Sequence, residues 1–132
     1  MIRNAIRIGI EALNRGDYEA AFALLPPDFE TIPASDAGLV GLDPIYRGRD
    51  GRLRYHRQWV AELGEFQNAP EEIVDLGDRV LLLGRIKGTG ATSGAAFDTE
   101  IAYLFTISAG RMIREQDFRS HEQALEAAGL RE

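Results

Sequence analysis

The apolar pattern of this chain changes period once, near Gly64, and that change dictates the order in which a fold has to be assembled. Before it, apolar residues recur at helical spacing; after it, they fall into short runs bounded by turn residues. Ile2, Ile6, Ile10 and Leu13 form one stripe, with Arg3, Arg7 and Glu11 off it. Gly16 suits the left-handed residue that ends a helix. Asp17 reads as the N-cap of a second short helix carrying Ala21, Leu24 and Leu25 and stopped by Pro26 and Pro27. Residues Phe29 to Ile32 suit a short strand, and Pro33 to Gly38 a polar loop. Asp50 is then expected to cap a third helix with Leu53, His56, Val60 and Leu63 on its apolar stripe.

Beyond Gly64, Glu71–Leu76 and Arg79–Lys87 read as a hairpin turning at Gly77 and Asp78. Thr99–Ile107 and Met112–Phe118 read as a second, turning at Ser108–Gly110. The glycine-rich Gly88–Gly94 run superficially resembles a dinucleotide fingerprint. It lies between two strands with no helix opening after it to receive a pyrophosphate, so it is read as a hairpin loop. Ser120 followed three residues later by Gln123 is a capping box, and Gly129 fits the C′ position of a Schellman ending with Leu125 and Leu130 in contact. Helices, then an antiparallel meander, then a closing helix make an α+β chain. Its 132 residues suit a single domain spanning 1–132.

Composition removes several chemistries. With 45% hydrophobic and 27% charged residues the chain can bury a core unaided. It has no cysteine, which excludes disulfides, thiolate metal sites and thiol nucleophiles, and His56 and His121 alone make no histidine metal centre. No metal and no cofactor are expected. A net charge of −6 opposes the phosphate attraction behind nucleic-acid binding. The arginine-dense stretch Arg47, Arg49, Arg52, Arg54 and Arg57 reads as a solvated face, with a specific anion contact by one of them left open. Glu11 and Asn14 interrupt the N-terminal apolar run before any signal core or membrane span forms, so a cytoplasmic location with no membrane contact is expected.

Several segments in this order resemble the SnoaL-like proteins of the nuclear transport factor 2-like superfamily. They are Glu11-Ala-Leu-Asn-Arg-Gly-Asp17, Leu24-Leu25-Pro-Pro-Asp28, Tyr46-Arg-Gly-Arg-Asp-Gly51, Gly77-Asp-Arg-Val80, Gly110-Arg-Met-Ile-Arg114 and Ala124-Leu-Glu-Ala-Ala-Gly129. The resemblance implies a cone-shaped α+β barrel, in which a curved antiparallel sheet wraps around N-terminal helices and leaves a central pocket. It does not imply one activity, because the fold hosts many. The proton-transfer positions of ketosteroid isomerase align with Pro33, Gly9 and Ala102, none of which can do that chemistry. Of the limonene-epoxide hydrolase set, the final-strand aspartate aligns with Asp117. Its Arg-x-Asp pair falls on Gly84 and Ile86, or on Arg85 and Lys87, and its water-holding pair falls on Thr31 and Pro33. The polyketide cyclases also use an acid near the Asp117 position, so the resemblance makes Asp117 the catalytic candidate.

Alternation along the last strand groups Ile113, Glu115 and Asp117 on one face. If Ile113 faces the core both acids do, and a desolvated carboxyl there can act as general acid or base. A bulge near Gln116 would instead turn one acid outward toward Arg114 or Arg119. Glu100 shares the face of Ala102 and either joins the same acidic wall or pairs with Arg85. His56 is either a satisfied core histidine or a base oriented by Asp117. Trp59, Tyr46, Tyr55 and Phe66 read as pocket lining or core. Strand 101–107 is apolar on both faces, which calls for a covering layer; a homodimer packed through the sheets would supply it. Two functions fit these residues. One is cofactor-free acid–base chemistry of isomerase, cyclase or hydrolase type on a small, mostly apolar molecule. The other is a noncatalytic ligand-binding or accessory dimer.

Overall fold

A computed structural model describes residues 2–35, 39, 41–90 and 94–130. Four helices and six strands follow one another as α1 (Ile2–Asn14), α2 (Tyr18–Ala21), β1 (Glu30–Ile32), β2 (Tyr46–Arg47), α3 (Gly48–Leu63), β3 (Phe66–Asp75), β4 (Arg79–Thr89), β5 (Ala96–Ser108), β6 (Arg111–Phe118) and α4 (His121–Ala127). The strands form one curved, unclosed sheet in the order β2-β1-β6-β5-β4-β3. All its pairings are antiparallel except β1 with β6. The expected cone-shaped α+β architecture is therefore present, with α1 to α3 on the concave face and α4 on the convex one.

Local chemistry explains most boundaries. Asp17 caps α2 by accepting from the Ala20 amide at 3.2 Å. Ser120 caps α4 through the Gln123 amide at 3.1 Å. The α4 ending is the expected Schellman turn, with Leu130 N donating to Leu125 O at 2.9 Å and Gly129 N to Glu126 O at 3.0 Å. Several boundaries differ from the sequence reading. α2 ends at Ala21 with Phe22 as its C-cap, so Leu24 and Leu25, expected within it, lie beyond the helix. β4 runs on to Thr89 and β5 begins at Ala96, three residues earlier than expected. α3 starts at Gly48, so Asp50 sits in its first turn rather than at its cap. Gly48 has a φ of 69° and its amide donates to Phe29 O at 2.7 Å, while a Cβ there would lie 2.9 Å from Pro27 O. That close approach sets the helix start. β3 begins at Phe66, five residues earlier than expected, and runs through Pro70. The proline is tolerated because β3 is an edge strand and Glu71 is bulged out between Pro70 and Glu72. The two-residue β2 carries too little pattern to be read from sequence.

A second bulge matters more. Opposite β5, Thr106 pairs with Arg114 but Ile107 with Met112, so Ile113 is the extra residue. The bulge lies upstream of Gln116, where it had been considered, and it reverses the alternation. Ile113 turns outward, 37% exposed, while Met112, Glu115 and Asp117 all point inward.

The two apolar faces of β5 go to different partners. Ile101 packs with Tyr55 and Trp59, and Phe105 with Ile6 of α1, whereas Ala102 and Leu104 pack against Ala124 and Ala128 around α4. Over this stretch the covering layer comes from the chain itself. Among the described residues no helix is long and apolar enough to cross a membrane. The centres of the 33–38 and 88–94 loops, residues 36–38 and 91–93, lie outside the described residues.

Candidate functional site

α1, α2 and the concave sheet border a cavity of about 390 Å³ that opens to solvent beside the exposed Ile8 and Leu24. Its walls are apolar, with Ile6, Leu13, Phe22, Phe29, Phe105 and Met112 prominent. Polar side chains gather on one side of it: Arg52, Asn68, Tyr103 and Glu115. Behind them lies a chamber of about 20 Å³ bordered by Tyr55, His56, Trp59 and Asp117, which shares Leu13, Arg52, Asn68 and Tyr103 with the larger space. Glu115 therefore lines the main cavity, and Asp117 the inner chamber.

The polar cluster is held by hydrogen bonds among five elements, α1, α3, β3, β5 and β6. Arg52 Nε donates to Glu115 Oε1 at 3.0 Å in an ion pair whose side chains are 9% and 6% exposed. The guanidinium lies 5.2 Å and 5.3 Å from the Phe22 and Tyr55 ring centroids. Tyr55 OH donates to Asp117 Oδ2 at 2.6 Å. Tyr103, register partner of Asp117 across the β5–β6 ladder, donates to Asn68 Oδ1 at 2.5 Å. Asn68 is anchored to the end of α1 through Asn14, its amide donating to Asn14 Oδ1 at 2.8 Å and its carbonyl accepting from Asn14 Nδ2 at 2.9 Å. Buried atoms without a hydrogen-bond partner among the described residues include Arg52 Nη1, Glu115 Oε2, Asp117 Oδ1 and Thr31 Oγ1. Thr31 is the β1 register partner of Glu115.

Electrostatics divides the two acids. Burial, the charge of Glu115 and a hydrogen bond to Glu115 push the Asp117 carboxyl well above the ordinary aspartate range, outweighing Arg52 and Tyr55, which favour its ionised form. Asp117 keeps a proton, and the two otherwise unpartnered carboxyl oxygens are where Asp117 can share it with Glu115. Burial works against the Arg52 charge, but Glu115 and Asp117 hold the guanidinium above its usual value. Burial, then Asp117, raises both Tyr55 and Tyr103, so both hydroxyls stay protonated donors. The cluster thus carries one cation, one carboxylate and one retained proton.

His56 lies in the inner chamber between the rings of Tyr18 and Phe66, with centroids 5.2 Å and 5.4 Å away. Burial, then the Arg52 charge, lowers it to about 3, so it is neutral in the working range. Trp59 borders the same chamber. Tyr46 is fully buried in the adjoining core, where its hydroxyl donates to Gln58 and accepts from Asp43 N, and it lines neither space.

Glu100, Ala102 and Arg85 sit elsewhere. Ala102 faces α4, and Glu100, on the same face, accepts from the His121 amide at 2.8 Å, so it caps α4 rather than building an acidic wall. Arg85 pairs with Asp98 at 2.6 Å, not with Glu100. Their faces follow from β5 alternation once Ile101 and Tyr103 are committed to the concave side.

The central correction is Arg52, read from sequence as part of a solvated arginine face. The buried side of α3 carries Gly48, Arg52, Tyr55, His56 and Trp59, while Leu53, Val60 and Leu63 are only half-buried. The readable signal was the i, i+3, i+7 run of Arg52, Tyr55 and Trp59. Asn68 and Tyr103 were missed as well: one lay between Gly64 and Glu71, in a segment given no element, the other in a strand read as apolar on both faces.

The SnoaL-like domain family matches residues 7–115. No curated protein sequence matches the chain. Among solved structures, a nuclear transport factor 2-like protein of unknown function from Burkholderia pseudomallei K96243 superposes with a TM-score of 0.79 at 22% identity, covering 94% of each chain. TerC, co-crystallised with polyporic acid, gives 0.79 at 22% identity, covering 94% of this chain and 97% of its own. A protein named for the SnoaL-like polyketide cyclases, from Jannaschia sp. CCS1, gives 0.72 at 18% identity, covering 98% and 90%. At these identities the likeness concerns the fold.

Proposed function

This chain belongs to the SnoaL-like domain family, and from that premise we propose that its cavity binds a small, mostly apolar molecule and that Glu115, backed by the protonated Asp117, exchanges a proton with it. One observation carries the reading: an apolar cavity of about 390 Å³ has Glu115, ion-paired to Arg52, on its wall and the Asp117 carboxyl, held well above the ordinary aspartate range by burial and Glu115, directly behind. Two carboxyls whose environments separate their protonation divide acid and base roles. Glu115 touches the ligand; Asp117 is a positioning residue that returns or withdraws a proton from behind. This moves the ligand-contacting role from Asp117 to Glu115. Polyporic acid, the compound crystallised with TerC, is the natural first probe.

A second reading, noncatalytic ligand binding, draws on the fact that Glu115 and Asp117 already have fixed partners in Arg52 and Tyr55. Calorimetric titration with polyporic acid and with 2-methoxynaphthalene, followed by chromatography after long incubation, separates the two. Conversion by the wild type that is lost in Glu115→Gln while binding persists supports proton chemistry. Binding with quantitative recovery of the probe supports the noncatalytic module. Absence of binding by both probes overturns both.

Homodimerisation through the convex sheet face is a separate proposal, resting on half-buried Val74, Leu76 and Phe118 around α4. Sedimentation velocity tests it, and a monomer at micromolar concentration removes it.

A further inference from the structure

Arg52 is chemically under-used in the ligand-free protein. It is a permanent cation, nine-tenths buried, lining both the main cavity and the inner chamber. Only its Nε is committed to Glu115, and Nη1 has no partner among the described residues. Glu115 Oε2 faces the proton of Asp117, so the carboxylate oxygen open to a further proton is Oε1, the one Arg52 holds. An unused donor on the cation and a carboxylate oxygen that the cation can release define a recognition site for a ligand group that presents an oxygen to one and gives a proton to the other.

We infer that the cavity selects weak oxygen acids, such as phenols and enols, and binds them as their anions, with Arg52 exchanging Glu115 for the ligand oxygen as its counterion. The inference rests on the cavity-binding reading above and adds to it the ligand class and the role of Arg52. In the step, the ligand O–H bond breaks and its proton passes to the Glu115 carboxylate. The electron pair stays on the ligand oxygen, which accepts from the guanidinium. Nothing is oxidised or reduced. The buried charge is conserved: one cation and one anion before, one cation and one anion after. That conservation makes the exchange feasible, since an anion added beside an intact Arg52–Glu115 pair would leave one buried charge uncompensated.

The other groups facing this pair do not compete for the proton. From α3 come Tyr55 and neutral His56, from β5 Tyr103, from β6 the already protonated Asp117, from β3 Asn68 and from β1 Thr31. α1 and α2 contribute no titratable side chain to the lining. Glu115 is the one carboxylate available in the cluster.

4-Nitrophenol, which absorbs at long wavelength only when ionised, and 4-nitroanisole, which cannot ionise, test the inference on the intact chain. In the wild type, the bound phenol is expected to show the anion band at pH values below the probe's own pKa. Its affinity should be flat there and fall about tenfold per pH unit above that pKa, because Glu115 must then draw its proton from solvent. In Glu115→Gln the exchange partner is gone and Arg52 captures the anion from solution. The slope should reverse, flat above the probe's pKa and weakening about tenfold per unit below it. A bound probe that stays neutral, or identical slopes in the two proteins, overturns the inference and leaves cavity binding intact. If neither 4-nitrophenol nor 4-nitroanisole binds, the underlying cavity reading fails instead. The wild-type spectrum needs no variant, so misfolding of Glu115→Gln would not shield the inference.

Discussion

Replacing Asp117 by asparagine should stabilise the protein at neutral pH, and by an amount that depends on pH in a defined way. In the unfolded chain the Asp117 carboxyl titrates near its ordinary value of 3.8, while in the fold burial and Glu115 hold it well above that. Between these two points the native state keeps a proton that the unfolded state has lost. Raising the pH therefore favours unfolding, by about 1.4 kcal/mol per pH unit. Asparagine can still accept from Tyr55 and can donate toward Glu115, but it does not titrate. The difference between variant and wild type should be constant below about pH 4 and grow upward from there. Each pH unit over which the fold retains the proton adds about 1.4 kcal/mol, or several degrees in melting temperature for a domain of this size. Chemical denaturation of both proteins at half-unit steps from pH 3.5 to 8 measures this difference, and any fixed cost of the amide cancels in the slope. A difference that does not change between pH 4 and 6, or that grows in favour of the wild type, would refute the protonation argument.

Four further outcomes follow from individual contacts. His56, lowered to about 3 from 6.5, has the opposite sign: its neutral form contributes stability that is complete above pH 6.5 and lost as pH falls toward 3. The advantage of the wild type over His56→Gln should thus shrink by about 1.4 kcal/mol per unit across that window in parallel denaturation series. Arg52→Met leaves Glu115 buried without its cation and should cost about 3–5 kcal/mol at pH 7; adding Glu115→Met to it should recover part of that loss in the same urea titration. Gly84→Ala would put a Cβ 2.7 Å from Ala69 O and 3.2 Å from Pro70 Cα, so a loss of about 1–3 kcal/mol and a local change in β3–β4 amide exchange are expected. Ser120→Ala removes the α4 cap and should cost about 1 kcal/mol, read as faster exchange at the Gln123 amide.

The sequence carried the architecture further than the site. Period and punctuation placed α1, α3 and α4, the start of α2, both hairpins, the Asp17 and Ser120 caps and the Schellman ending, because each is written in neighbouring residues. The SnoaL-like resemblance then supplied their arrangement. The site depends on registers that no local pattern records. One bulged residue, Ile113, reverses the facing of the last strand, so the pair Glu115 and Asp117 points inward while Ile113 does not. α3 is rotated so that Arg52, not Leu53, faces the core, and a lone arginine in an arginine-rich run gives little sign that it will be buried. Which carboxyl meets the cavity and which lies behind it is set by Arg52, Tyr55 and Tyr103 closing from different elements. Glu100 shows the same limit: its face was legible, but not that α4 lies over that face.

The proton held between Asp117 and Glu115 at the cavity wall is the claim on which the rest depends, and carbon-detected NMR of the side-chain carboxyls measures it directly. Without ligand, the Asp117 carboxyl carbon should still resonate in the protonated range above pH 3.8, its ordinary midpoint. On acidification Asp117 should show no transition near its ordinary value. A fully ionised Asp117 at pH 7, titrating near 3.8 like an exposed aspartate, would contradict the account.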